Sequence, residues 1–176
     1  MQIAQLAQSA QSAQSADVRA QRGHHARPRH GLATIAPIDI GAVAARSDQA
    51  FLALLAAYRA SGGLARADEA ATLLERRGLD GGQLARWRTG RRVVAFDWQS
   101  HFWLPRFQFE LCGLLPEPGV AAVLAVLGTV FDDWQTAWWF ARPHPALNER
   151  APAQAIGRDL AAVLTTARGD RFVVRG

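Results

Sequence analysis

The chain has 176 residues, 49% of them hydrophobic, enough to bury one sizeable core or two small cores in contact. No apolar run is long enough to span a bilayer, because Arg59 and Gly62-Gly63 interrupt the longest candidate and Gly128 the next. All 20 basic residues are arginine, against 15 acids; this is the usage of a GC-rich genome, so where the charge sits says more than the net +5.

Residues 1–47 read as a disordered basic tail: the near-repeat AQSAQSAQSA has no apolar face, and Gly23 to His30 is basic and broken by Pro28. Its three clustered histidines have no cysteine or carboxylate at ligand spacing, so no metal site is expected. Ser47 then stands as an N-cap. Phe51, Leu52, Leu54, Leu55 and Tyr58 form an apolar stripe that predicts a bracing helix, ended by Gly62-Gly63. Ala67 to Arg77 predicts a second helix closed by Gly78, and Asp80 caps a short third one, Gly81 to Thr89, with Trp87 in the core.

Arg92 to Trp98 and His101 to Leu104, rich in β-branched and aromatic residues, predict a β-hairpin turning at Gln99-Ser100 and stopped by Pro105. A hairpin directly after a helix-turn-helix resembles the small winged DNA-binding modules of excisionase-like proteins. The charge agrees. Residues 51–95 hold eight arginines and four acids, a net of +4, whereas residues 96–176 hold seven and eight, a net of −1. Gln83, Arg86 and Arg88 are the candidates for base edges, and Arg91 and Arg92 for phosphates, since the guanidinium fork suits both guanine edges and phosphate oxygens.

A very apolar helix from Pro116, with Val120, Val123, Leu124 and Leu127, is expected to pack on the tryptophan-rich stretch from Phe131. There Asp132 and Asp133 serve as N-cap and first-turn acid, and Trp134, Ala137, Trp138 and Ala141 recur at helical spacing, so the face they form must be buried. Pro143 and Pro145 end that helix, Leu147 anchors a corner, and Pro152 opens the next helix at its first position. Asp159 to Arg168 predicts a closing helix stopped by Gly169, with 170–176 as an exposed end. Arg168, Arg171, Phe172 and Arg175 lie beyond its last apolar repeat and combine the residue types that dominate interface hot spots. Cutting the chain after Gly169 is accordingly expected to leave the fold intact.

The tryptophan helix, the corner and the closing helix together resemble the carboxy-terminal toxin-binding domain of Xre/MbcA/ParS-type antitoxins, whose corner has the form P-N-x-x-L-x-G-x-x-P. The corner here reads Pro143-His144-Pro145-Ala146-Leu147-Asn148-Glu149-Arg150-Ala151-Pro152. Pro143, Leu147 and Pro152 match, while His144 replaces the usual asparagine and Glu149 the usual glycine, a residue that normally serves a positive φ. Pro105-Arg106-Phe107-Gln108-Phe109 is likewise similar to the P-x-F-Q-F stretch that precedes this domain in relatives. The resemblance covers roughly residues 65–176. It implies that the end of the chain covers the active site of a cognate toxin, commonly a RES-domain enzyme that consumes NAD.

No phosphate loop, zinc spacing or nucleotide-binding glycine motif is present in the sequence. The single cysteine, Cys112, sits in apolar Leu111 to Leu115 with no activating base, so it reads as a small core residue in a reducing cytoplasm. Three parts are therefore expected: a tail, 1–47; a bracing helix with a winged helix-turn-helix-like module, 48–104; and a compact helical toxin-binding domain, 105–176. The mainly α fold would carry one hairpin. The expected function is a non-enzymatic, cofactor-free bacterial antitoxin of the cytoplasm that neutralises its toxin, autoregulates its operon on operator DNA and forms a homodimer away from any membrane. The alternative is a free-standing DNA-binding regulator that dimerises through its carboxy-terminal half.

Overall fold

Ser47 accepts a hydrogen bond from the Ala50 amide at 3.1 Å and starts the first helix, α1 (Asp48–Ala57), as its position in the sequence requires. The computed structural model describes residues 47–110, 115–128 and 130–175; the tail before Ser47, with its histidines, and Cys112 lie outside the described residues. After a 3-10 turn, Arg59–Ser61, the chain makes strand β1 (Leu64–Arg66), then α2 (Ala67–Arg76), α3 (Gln83–Thr89), β2 (Phe96–Trp98) and β3 (His101–Pro105). A second 3-10 turn, Arg106–Gln108, leads to α4 (Pro118–Leu127) and α5 (Asp133–Ala141). The 3-10 corner Pro145–Leu147, α6 (Pro152–Ala155) and α7 (Leu160–Arg175) complete the described chain. The fold is mainly helical with one small antiparallel sheet, ordered β1-β3-β2. No described helix is long and apolar enough to cross a membrane.

Strand β1 is not anticipated by the sequence, since three residues after a glycine pair are too few to show alternation. It pairs with β3 from Leu64 opposite Pro105 to Arg66 opposite Trp103. The first arm of the hairpin is shorter than expected. Residues 92–95 are irregular because Val94 gives its backbone groups to a side chain: its N–H donates to Gln108 Oε1 at 2.5 Å, and Gln108 Nε2 donates to its carbonyl at 2.9 Å. Gln108 is 0% exposed, so the glutamine of the P-x-F-Q-F stretch substitutes for a strand where no strand runs.

The larger core joins Leu54, Tyr58, Val94 and Phe96 to Val120, Trp134, Phe140 and Val163, and so runs across position 104–105. The described residues all belong to one compact unit. Tyr58 donates to the Ala137 carbonyl at 2.6 Å, and burial pushes its phenol pKa up, keeping the donor proton in place. A smaller core gathers Leu74, Leu84, Trp87 and Leu104 beneath α2 and α3. Leu52, in contrast, is 61% exposed and does not belong to the α1 stripe. Helix α4 packs chiefly on α7 rather than on the tryptophan helix. Gly119 permits this approach, since a Cβ there would lie 3.0 Å from Leu160 Cδ1.

Helix α5 opens with a capping box, in which the Asp132 carboxylate accepts from the Gln135 amide at 2.7 Å and Gln135 Oε1 from the Asp132 amide at 3.0 Å. Trp134 is buried against Phe96 and Trp98, but Trp138 is only half-buried, with Arg142 over its ring. Trp139 and Phe140 take the interior instead, because α5 is enclosed on more sides than a single stripe would require. At the corner the His144 ring caps the 3-10 turn: its Nδ1 accepts from the Ala146 amide at 3.1 Å. Asn148 and Glu149 both have positive φ, 56° and 58°, the conformation a glycine would serve. An L-residue held there costs about 1–2 kcal/mol, partly offset by the entropy glycine adds to the unfolded chain. Glu149→Gly is therefore expected to stabilise by up to about 1 kcal/mol, read as a higher urea midpoint at unchanged slope.

Candidate nucleic-acid and partner interfaces

Gly78 ends α2 at φ 79° in a Schellman motif: its N–H bonds the Glu75 carbonyl, and the Leu79 N–H bonds that of Leu74. The chain then turns through Asp80, which accepts from the Gly82 amide at 3.0 Å and pairs with Arg86 at 2.6 Å. The Gly82 amide first, and Arg86 second, hold the Asp80 carboxyl below its ordinary pKa. Helix α3 starts at Gln83, two residues later than expected, because Asp80 directs the Gly81-Gly82 turn instead of capping the helix directly.

The five candidate DNA contacts fall into separate groups. Gln83 and Arg86, one helical turn apart, are tied together, with Arg86 donating to Gln83 Oε1 at 2.7 Å while it also holds Asp80. Arg88 lies over the Phe102 ring at 3.9 Å and so connects α3 to the hairpin. Arg91 has a positive φ of 50° and lies beside Gly128, where a Cβ would come within 3.1 Å of Arg91 Nε. Arg88 and Arg91 line one cavity, and Arg92 is exposed beside them. The hairpin tip is fastened back: Gln99 and Ser100 both have positive φ, Gln99 Nε2 donates to Asp48 at 3.0 Å, and Trp98 stacks on Phe51.

The second candidate surface departs from expectation. Helix α7 does not stop at Gly169 but continues to Arg175, and Asp170, expected in an exposed end, is only 5% exposed. Its carboxylate accepts from Trp139 Nε1 at 2.7 Å and meets His144 Nε2 at 3.4 Å. Since His144 Nδ1 is an acceptor for Ala146, the ring proton sits on Nε2 and points to Asp170. The signal for this was present: Val163, Ala167, Asp170 and Val174 continue the i, i+4, i+7, i+11 series through the glycine. Of the four candidates, Arg168 is exposed, Arg171 is half-buried, Phe172 is 80% exposed and Arg175 is the last helical residue. Val173, half-exposed beside Phe172, is an addition to that surface.

Among the described residues no cluster of three histidine, cysteine or carboxylate side chains could hold a metal. Comparison with protein-family models, with curated proteins and with solved structures returns no match for this chain.

Proposed function

We propose that this chain is an antitoxin-like protein that binds and neutralises a cognate toxin through the end of α7 and represses its own operon through α2, α3 and the hairpin. The observation that carries the reading is the construction of α7's last two turns. Asp170 locks one side of the helix to Trp139 and His144, which leaves Phe172 and Val173 facing solvent with Arg168 close by on the same helix. A rigid, exposed aromatic beside an arginine is the form an interface anchor takes. The corner supports the same reading, because the His144 side chain caps its turn and Glu149 holds a positive φ at the position where the resembled pattern has glycine. By the same resemblance the toxin is of the NAD-consuming RES type. The test is co-expression with the product of the neighbouring reading frame. Survival and NAD content should hold with the intact chain and fall with Phe172→Asp.

The DNA half of the proposal draws on chain order. The order helix, strand, two helices and a hairpin, with sheet order β1-β3-β2, supports a winged helix-turn-helix reading, and the arginine excess lies on this part of the chain. These features also favour the second reading, a free-standing regulator that dimerises through its carboxy-terminal half. Alanine at Arg86, Arg88, Arg91 and Arg92 together is expected to weaken binding to the upstream DNA and to lower the slope of log K against log salt by about one unit for each phosphate left without its arginine. Equal affinity and slope for the quadruple variant and the parent would end both DNA readings. Loss of DNA binding without any partner from the neighbouring frame would favour the second.

A further inference from the structure

The cavity that Arg88 and Arg91 share is about 460 Å³, within the range of small-molecule sites. Its wall is of two kinds. Ala85, Val93 and Leu124 contribute apolar surface, while Asp133 and Thr136 of α5 add polar groups to the two arginines. Two guanidiniums against one carboxylate leave one positive charge in excess, and among the described residues neither arginine is in a salt bridge.

Thr136 is the second, independent observation. Its Oγ1 is buried and has no hydrogen-bond partner, and the residue is 2% exposed. Thr72, Thr89, Thr165 and Thr166, the other helical threonines among the described residues, each donate to the carbonyl four residues back, at 2.9–3.0 Å. Thr136 does not, although that alternative is the usual one on a helix. A buried hydroxyl without a partner costs about 1–3 kcal/mol, and such a cost persists where another group supplies the bond. The positive φ of Arg91 belongs to the end of α3, where its N–H bonds the Arg88 carbonyl and the Arg92 N–H that of Trp87.

We infer that this cavity is a binding site for a small amphipathic monoanion, an apolar body carrying a single carboxylate, sulfonate or phosphodiester group. Arg88 and Arg91 take the charge, Thr136 supplies a hydroxyl, and Ala85, Val93 and Leu124 hold the body. The inference is independent of DNA binding; where both hold, ligand and DNA compete for the same two guanidiniums.

Octanoate and naphthalene-2-carboxylate, with octan-1-ol and naphthalene-2-carboxamide as uncharged counterparts, are the probes, titrated by amide chemical shifts and calorimetry on the intact chain. At least one carboxylate is expected to bind at a single site below 1 mM, about tenfold or more tighter than its counterpart. Arg88→Gln with Arg91→Gln should weaken it at least tenfold, and Ala85→Trp, placed on an exposed position of the rim, should abolish it with the melting curve unchanged. Thr136→Val separates ligation from structure: it should raise the melting temperature by removing the unpartnered hydroxyl, yet weaken the carboxylate several-fold. Failure of both carboxylates to bind would overturn the inference. So would equal binding of the uncharged probes, or affinity retained in Ala85→Trp or in the double arginine variant.

Discussion

Gln108→Leu is expected to destabilise the protein by about 4 kcal/mol, a large share of the roughly 5–15 kcal/mol that holds a domain folded. Leucine keeps the volume of the side chain but leaves both the N–H and the carbonyl of Val94 without partners in a site that is 0% exposed. Each orphaned group costs about 1–3 kcal/mol. The urea midpoint should fall at constant slope. Gln108→Glu provides the sharper reading, because an ionised carboxylate accepts from the Val94 N–H but also faces its carbonyl oxygen. Protonated, the same carboxyl donates and accepts as the amide does. Burial should raise the folded pKa of this introduced acid above its unfolded value of about 4.3. Its deficit relative to wild type is then smallest below that unfolded value and grows as pH rises through the folded one. A deficit independent of pH would mean that Gln108 fills space and does not bond Val94.

Where local chemistry decides an element, the sequence carried it. Ser47, the Asp132 and Gln135 capping box, Gly78 in its Schellman motif and Pro152 at the first position of α6 act within four residues of themselves. The places that differ depend on partners distant in the chain. Residues 92–95 are no strand because Gln108 takes Val94, and β1 exists because β3 offers it an edge. Of the five DNA candidates, Gln83, Arg86 and Arg88 lie on α3, and Arg91 and Arg92 in the turn after it. Their sorting into an Asp80-bound pair and a cavity-lining pair depends on a loop carboxylate and on α5, which spacing within α3 does not reveal. Gly169 shows the same limit in reverse. A glycine near the end of an apolar repeat reads as a stop, but here it has helical neighbours on both sides and a buried acid directly after it.

Ending the chain after Gly169 and ending it after Arg171 are expected to give opposite results. The shorter chain lacks Asp170, so the Trp139 Nε1 and His144 Nε2 protons remain buried without an acceptor. At about 1–3 kcal/mol for each, and more for a bond to a charged group, the destabilisation is about 3–5 kcal/mol before the packing of Val174 is counted. It should show as a lower melting temperature and as early exchange of the corner amides, those of Ala146 and Leu147 among them. The chain ending after Arg171 retains the Asp170 carboxylate and removes the exposed Phe172 and Val173. Its melting temperature should stay close to that of the full chain, because Phe172 and Val173 are exposed and Val174 is only partly buried. If the end of α7 is the partner surface, this chain folds and fails to protect a host that expresses the toxin, and Phe172→Asp in the full chain fails in the same way. Full protection by the chain ending after Arg171 would move the interface off α7. A shorter chain as stable as the parent would show that Asp170 does not hold the corner.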